Sequence, residues 1–365
     1  MAPPGRREKS RLRNPFPAPR NLLHRRALRP GPLSGKRKRQ YASSGSQWPA
    51  LAILLVLALP QAISSQAPQR QAPPQAPGEK SRIRVEVNLV SVIVSVLDKN
   101  NRPAPDLPKE AFEIYEEGVK QKIEVFDSET QQPLDLALMI DSSLSTIKEL
   151  ANEREAAAHF IRQVVRPGDR LAVFEFADGV TQLTEFSSDV PLLQSAVRHI
   201  GEGAGTALYD AVYLGAQALS KRSPGRRRVI VLVTDAGETT SRSNFETTRS
   251  GALRSEAMLY TIVIRPVKSE SGRNTAGEHA LETITESTGG AVYYPDSMAE
   301  IDAMFERIDR ELRTQYRLGY YPDPRPPTKS FRRVEVRVKS PSGTEGTGGY
   351  LVHHRKGYFA GGTLD

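Results

Sequence analysis

The 365-residue sequence has no cysteine and a single tryptophan, Trp48. Without cysteine there is no disulfide framework to make or break, and cysteine usage says nothing about compartment. Histidine is scarce too. Of the six, only His353 and His354 are neighbours, and in a strand adjacent side chains point to opposite faces, which argues against a zinc site there. No G-x-S-x-G elbow and no Ser/His/Asp nucleophile arrangement is present. The glycine-rich run at 201–205 follows a helical pattern rather than a strand and lacks a P-loop lysine, which argues against a nucleotide site. No internal repeat of about 20–50 residues is visible.

Basic charge is also missing once the first residues are set aside. Residues 1–47 hold 13 Lys/Arg against the single Glu8, which leaves 38 basic and 41 acidic side chains in the rest of the chain. The remainder carries a formal net charge of −3, so the high pI belongs to the leader and nothing basic remains in bulk for nucleic acid. The leader itself has the features of an export signal. Lys36, Arg37, Lys38 and Arg39 precede the eleven-residue apolar run PALAILLVLAL, which stops at Pro60. Such a run has the length of a signal-peptide core and is short for a membrane span. Residues 1–65 are therefore expected to be a leader and signal peptide, with cleavage near Ala62, Ile63, Ser64 or Ser65. An uncleaved membrane anchor is the rival, and the long basic region allows a start downstream of Met1. Either way the protein is expected to be exported, to periplasm or exterior.

Beyond the leader, the chain falls into blocks by hydrophobic rhythm. Residues 66–81 are Pro, Gln and Ala without apolar periodicity and read as a tether. Residues 82–132 alternate as short strands, with a change of phase near Leu89 and a turn at Glu117-Gly118. This module is too small to bury a core alone. From 133 to 314 strands alternate with helices: a helix is expected over 146–165, a hairpin at Asp178-Gly179 with its second strand over 180–186, and a central strand RVIVLVT ending at Thr234. That rhythm predicts an α/β fold with a doubly wound, mostly parallel sheet, which places ligands at the carboxyl ends of its strands. Strands return over 315–365. They are expected to pair with the module before 133 in a small β-sandwich, because each half is too small alone. Tyr316, Tyr320, Tyr321 and Phe331 are read as its core.

The stretch LDLALMIDSSLS, 134–145, organises the α/β block. Its apolar residues leave almost no polar face, as in a strand covered on both sides. Asp141 ends the strand, and Ser143 and Ser145 follow at alternate positions, so their hydroxyls can face the same way as the carboxylate. Thr206 comes after the glycine-rich turn and just before a helix, and Asp235 ends the RVIVLVT strand. In a doubly wound sheet these ends converge. Asp141, Ser143, Ser145, Thr206 and Asp235 then offer five oxygen side chains, two of them carboxylates, a hard donor set suited to Mg²⁺, with Mn²⁺ or Ca²⁺ as alternatives.

These residues resemble the von Willebrand factor type A domain. DSSLS stands at its D-x-S-x-S signature, GTALYDA carries the matching threonine and VTDAGE the second aspartate, the resemblance covering about 133–313. It implies a metal-ion-dependent adhesion site, with Asp141, Ser143, Ser145, Thr206 and Asp235 as direct or water-mediated ligands of Mg²⁺. The sequence departs from the pattern at Leu144 and Ala236, where the family usually has glycine. The flanking strands look like the wider type A-related proteins of acidobacteria. The expected function is a protein-binding or adhesion module, not an enzyme, in which a partner's Asp or Glu completes the cation's shell. No nucleic acid is expected as partner, and membrane contact only through the leader. The alternatives are a metal-assisted hydrolase, for which Glu238 is the nearby general base, and a structural envelope protein whose metal stiffens the sheet.

Overall fold

The computed structural model describes residues 89–361 apart from 129–131, 147, 265–273, 328–329 and 340–348. The expected leader and tether, most of the phase change before Leu89, and Ile147 lie outside the described residues. Four short strands come first: β1 (Val90–Leu97), β2 (Phe112–Glu116), β3 (Val119–Gln121) and β4 (Val125–Asp127). The alternating block runs β5 (Leu134–Asp141), α1 (Leu150–Val164), β6 (Arg170–Phe176), β7 (Val180–Gln182), α2 (Val190–Arg198), α3 (Leu208–Ser220) and β8 (Arg227–Thr234). It continues through α4 (Phe245–Ser255), β9 (Ala257–Val263), α5 (Thr275–Thr288), β10 (Val292–Tyr293) and α6 (Ile301–Arg313). Strands β11 (Tyr316–Tyr320), β12 (Phe331–Val338), β13 (Leu351–His354) and β14 (Gly357–Phe359) close the chain. Among the described residues no helix is long and apolar enough to cross a membrane.

The alternating block forms one sheet in the order β10-β9-β8-β5-β6-β7, parallel except for the edge strand β7. All eight residues of β5 are buried. Its side chains divide by parity, as a strand's must. Leu134, Leu136, Leu138 and Ile140 join the core beneath α1, α2 and α6, while Ala137 and Met139 join the core beneath α3, α4 and α5. Three helices on each face keep the strand apolar from Leu136 to Ile140, while Asp135, ahead of that run, is buried against Arg222 at 3.0 Å and Arg226 at 2.8 Å. The chain leaves β5 toward β6 on one side and later returns to β8 on the other, so the strand order reverses between β5 and β8 and a crevice opens above their carboxyl ends.

The flanking strands build two four-stranded antiparallel sheets, β13-β1-β11-β4 and β14-β12-β2-β3, each mixing strands from both ends of the described chain. They share one core, with Val92, Val94, Leu318 and Tyr320 from the first sheet and Ile114, Val336 and Val338 from the second. Tyr316 and Tyr320 are core residues, as expected, but Tyr321 is 49% exposed and Phe331 39% exposed. Tyr321 follows the last paired residue of β11, and the Phe331 ring stacks edge-on against Phe359 at the sheet's margin. Strand β14 was not expected. Three residues after the Arg355-Lys356 turn are too few to carry a period.

Two boundaries in the α/β block differ from the sequence pattern. Helix α1 begins at Leu150, not at 146, because the Thr146 hydroxyl donates back to the carbonyls of Asp141 and Ser143 at 3.1 Å each and ties the first turn to the strand end. Strand β7 stops at Gln182, since Leu183 and Thr184 turn back on Val173.

Candidate metal centre

Asp141 is the last residue of β5 and is completely buried. Its Oδ1 accepts the Ser143 backbone N–H at 3.0 Å, and its Oδ2 accepts the Thr234 hydroxyl at 2.6 Å. The first bond curls the loop after β5 so that Ser143 and Ser145 project together, with their hydroxyl oxygens 3.0 Å apart. Ser143 is buried and Ser145 exposed, so the pair runs from the interior to the surface. Asp235, half-buried, follows β8, and its Oδ1 accepts the Gly237 N–H at 2.9 Å.

Thr206 is brought in by a loop that the two glycines make possible. The Asp178 carboxylate, on the β6–β7 turn, accepts the N–H groups of Ala204 and Gly205 at 2.9 Å each. Gly203 donates to the Ser142 carbonyl at 3.0 Å, and Thr206 donates its N–H to the Thr239 hydroxyl at 2.8 Å. A Cβ on Gly203 would stand 2.3 Å from the Ala177 Cβ, and one on Gly205 2.6 Å from Thr240 Cγ2. The glycine run thus answers to close packing over the β6–β7 turn. The result places Thr206 beside Asp235: the point where a Gly237 Cβ would sit is 3.0 Å from Asp235 Oδ1 and 3.3 Å from Thr206 Oγ1.

The electrostatics are those of unneutralised acid. Burial, reinforced by the charge of Asp235, pushes the Asp141 carboxyl up to about 6 against the hydrogen bonds from Ser143 and Thr234. Among the described residues no Lys, Arg or His forms an ion pair with Asp141 or Asp235. Two carboxylates and three hydroxyls, hydrogen-bonded in part to one another and without a basic partner, form a donor set that a hard divalent cation fits. Among the described residues no group of three or more His, Cys, Asp or Glu stands at ligand geometry, so no nitrogen or sulfur site competes with it.

Several residues around the centre escaped the sequence reading. Thr234, the polar end of an apolar strand, fixes Asp141. Asp178 and Thr239 fix the Thr206 loop. Ala236 takes a left-handed φ of 64° while fully buried, the strained version of a turn in which glycine is at ease. Glu153 lies buried on α1 in the apolar stripe formed by Leu150, Ala157, Phe160 and Ile161. An acid at the third position of such a stripe was a legible signal.

The fold and this cluster define an α/β body with an oxygen-rich centre at the switch point of a doubly wound sheet. Residues 136–238, which include all five site residues, match the family model of the von Willebrand factor type A domain, so the chain contains a domain of that class. No curated protein matches the chain. Among solved structures it is similar to a von Willebrand factor type A protein from Catenulispora acidiphila, at 12% identity over 77% of this chain and 76% of that one, TM-score 0.43. It is also similar to BatB from Bacteroides thetaiotaomicron, at 14% identity over 49% of this chain and 98% of that one, TM-score 0.40. A third is the von Willebrand factor domain of the type V pili tip protein Mfa5 from Porphyromonas gingivalis, at 12% identity over 50% of this chain and 95% of that one, TM-score 0.41.

Proposed function

We propose that this is an exported protein-binding module whose type A domain holds Mg²⁺ between Asp141, Ser143, Ser145, Thr206 and Asp235 and engages a partner through the partner's Asp or Glu side chain. The observation that supports this most is the buried Asp141 beside the charge of Asp235, with no ion pair to either acid among the described residues. When bound, the cation supplies a coordination position for a carboxylate from outside. Asp141 and Asp235 provide the charge that holds it. Thr234 and the Ser143 N–H keep Asp141 in one orientation, and the exposed Ser145 marks the side from which a partner arrives. Leu144, 58% exposed between the two serines, offers that partner an apolar contact at the rim. The export part of the reading rests on the basic and apolar leader.

The hydrolase reading has less behind it. Glu238, its candidate general base, is held in place on both oxygens: Oε1 accepts the Ser241 N–H at 2.9 Å, and Oε2 accepts the Tyr209 N–H at 3.0 Å and the Ser241 hydroxyl at 2.7 Å. It caps the start of α3 and shapes a loop.

The test is calorimetric titration of Mg²⁺ into wild type and Asp235→Ala, followed by capture of partners from an envelope extract with and without EDTA. Binding of one Mg²⁺ by wild type alone, and capture that EDTA and Asp235→Ala both abolish, is the expected result. Mg²⁺ binding with EDTA-insensitive capture would favour a purely structural metal, and equal titrations would remove the cation from the account.

A further inference from the structure

Glu153 is 1% exposed, and neither of its carboxylate oxygens has a hydrogen-bond partner. Among the described residues it is the only acid with two buried oxygens that both lack a hydrogen-bond partner. It sits at a position of α1 where the stripe calls for an apolar side chain, between Leu150 and Ala157. The charges that face it are almost all of its own sign: Asp141 and Asp235 from the ends of β5 and β8, and Glu149 from the preceding turn, itself with one buried unpartnered oxygen. Arg154 is the one cation among them, and its guanidinium donates elsewhere, to the Ile200 carbonyl. A buried carboxyl group without a partner is costly in either protonation state, and three acidic neighbours make the ionised state worse. Among the described residues no group donates a hydrogen bond to Glu153, and Arg154 offsets the acidic neighbours only in part.

We propose that Glu153 is a third carboxylate of the cation centre, acting from behind Asp141 and Asp235 as a positioning residue that accepts hydrogen bonds from the water completing the cation's hydration. This rests on the proposal that the centre holds a cation. Among the described residues no three acidic side chains stand together as ligands of one ion, so Glu153 is assigned to the cation's water and not to the cation itself. Mg²⁺ keeps several of its waters when bound to protein, and a carboxylate one water away is a common outer partner. The two orphaned oxygens of Glu153 and the unpaired charge of the centre then have one explanation. Burial and the three acids push the Glu153 carboxyl up to about 9, so cation binding is also expected to drive off its proton.

The experiment uses the full chain and Mg²⁺ itself, titrated at about pH 7.5 in two buffers of different ionisation enthalpy, with thermal melts in EDTA and in Mg²⁺. The proteins are wild type, Glu153→Gln, Glu153→Leu and Asp141→Ala. Wild type is expected to bind Mg²⁺ with release of a proton. Both Glu153 variants are expected to bind about 10- to 100-fold more weakly, without that proton, and Glu153→Leu to melt higher than wild type in EDTA. If wild type binds, Asp141→Ala does not, and Glu153→Gln keeps wild-type affinity and proton release, the inference fails while the cation reading stands. Glu153 variants that melt lower in EDTA and in Mg²⁺ alike, with unchanged affinity, would make Glu153 structural and overturn the inference too. Identical titrations of wild type and Asp141→Ala would overturn both.

Discussion

At the scale of single residues, the centre is a place where the fold tolerates unfavourable charge. The Asp141 carboxyl is held at about 6, above its ordinary value of 3.8. For an acid raised in this way, the folded state binds the proton more tightly than the unfolded state does. Its contribution to stability is complete below about pH 4, declines as pH rises, and is gone above about pH 6. The shift corresponds to roughly 3 kcal/mol at neutral pH in the absence of a cation. Asp141→Asn keeps an oxygen for the Ser143 N–H and removes the charge. We expect it to be more stable in EDTA than wild type by about 1–3 kcal/mol at pH 7.5, with the advantage vanishing near pH 4, and to show no stabilisation by Mg²⁺. Urea melts across that range measure it. The comparison with wild type matters because His354, buried and held down to about 4, works in the opposite direction: its neutral form stabilises the fold, and that is lost as pH falls below about 6.5. An Asp141→Asn advantage independent of pH would contradict the charge account.

At the scale of elements, the centre is assembled by loops that hold one another. The β5–α1 loop is tied by the Thr146 hydroxyl, the Thr206 loop by Asp178 and Thr239, and the loop after β8 by Glu238. Only Asp141 belongs to a strand. Gly203 is a tight point of the Thr206 loop, because its Cα faces Ala177 with no space for a methyl group. Gly203→Ala is expected to destabilise the protein by about 1–3 kcal/mol and to weaken Mg²⁺ binding, as the Thr206 loop lifts from the β6–β7 turn. Gly118, whose added Cβ meets nothing within 4 Å although its φ is +81°, supplies the control: Gly118→Ala strains a hairpin and leaves Mg²⁺ binding alone. Equal Mg²⁺ affinities in the Gly203 variant and wild type, by calorimetry, would detach that loop from the centre.

At the scale of the whole molecule, the β-sandwich and the type A body meet through a buried polar network as well as apolar contact. Glu311, near the end of α6, is 2% exposed. Its Oε1 accepts the Tyr260 hydroxyl at 2.9 Å and faces His353 Nδ1 at 3.1 Å, and its Oε2 accepts the Tyr293 hydroxyl at 3.1 Å. His353 belongs to β13 of the sandwich, Tyr260 and Tyr293 to the central sheet. Those partners hold the Glu311 carboxyl below its ordinary range in spite of burial. Gln315 extends the link from Arg227 to Ser95 of β1. Glu311→Leu leaves two hydroxyls and an imidazole without their acceptor. It is expected to cost about 2–4 kcal/mol in urea unfolding with Mg²⁺ affinity unchanged, since Glu311 touches none of the five site residues. A loss of Mg²⁺ binding in that variant would show that the sandwich braces the centre.

The sequence by itself determined the class of the fold. A strand buried on both faces is apolar except where a polar side chain finds a partner, as Asp135 does in Arg222 and Arg226, helices between such strands carry one apolar stripe, and both patterns are local enough to read along 134–313. It also marked both acids of the centre, because a carboxylate at the end of an apolar strand has no local reason to be there. Periodicity could not say where α1 starts, since the Thr146 hydroxyl bonds that delay it depend on the path of the chain after β5. It shows Glu153 as an acid in an apolar stripe but not its meaning, which comes from the nearby charges of Asp141 and Asp235, residues 12 and 82 positions away. Only the tertiary structure decided those matters, as it decided that Glu238 caps a loop and that Asp178 holds the glycine turn. Hydrophobic rhythm reports what each residue does within its own element, whereas charge and hydrogen bonding at a site depend on elements that meet only after the sheet has closed.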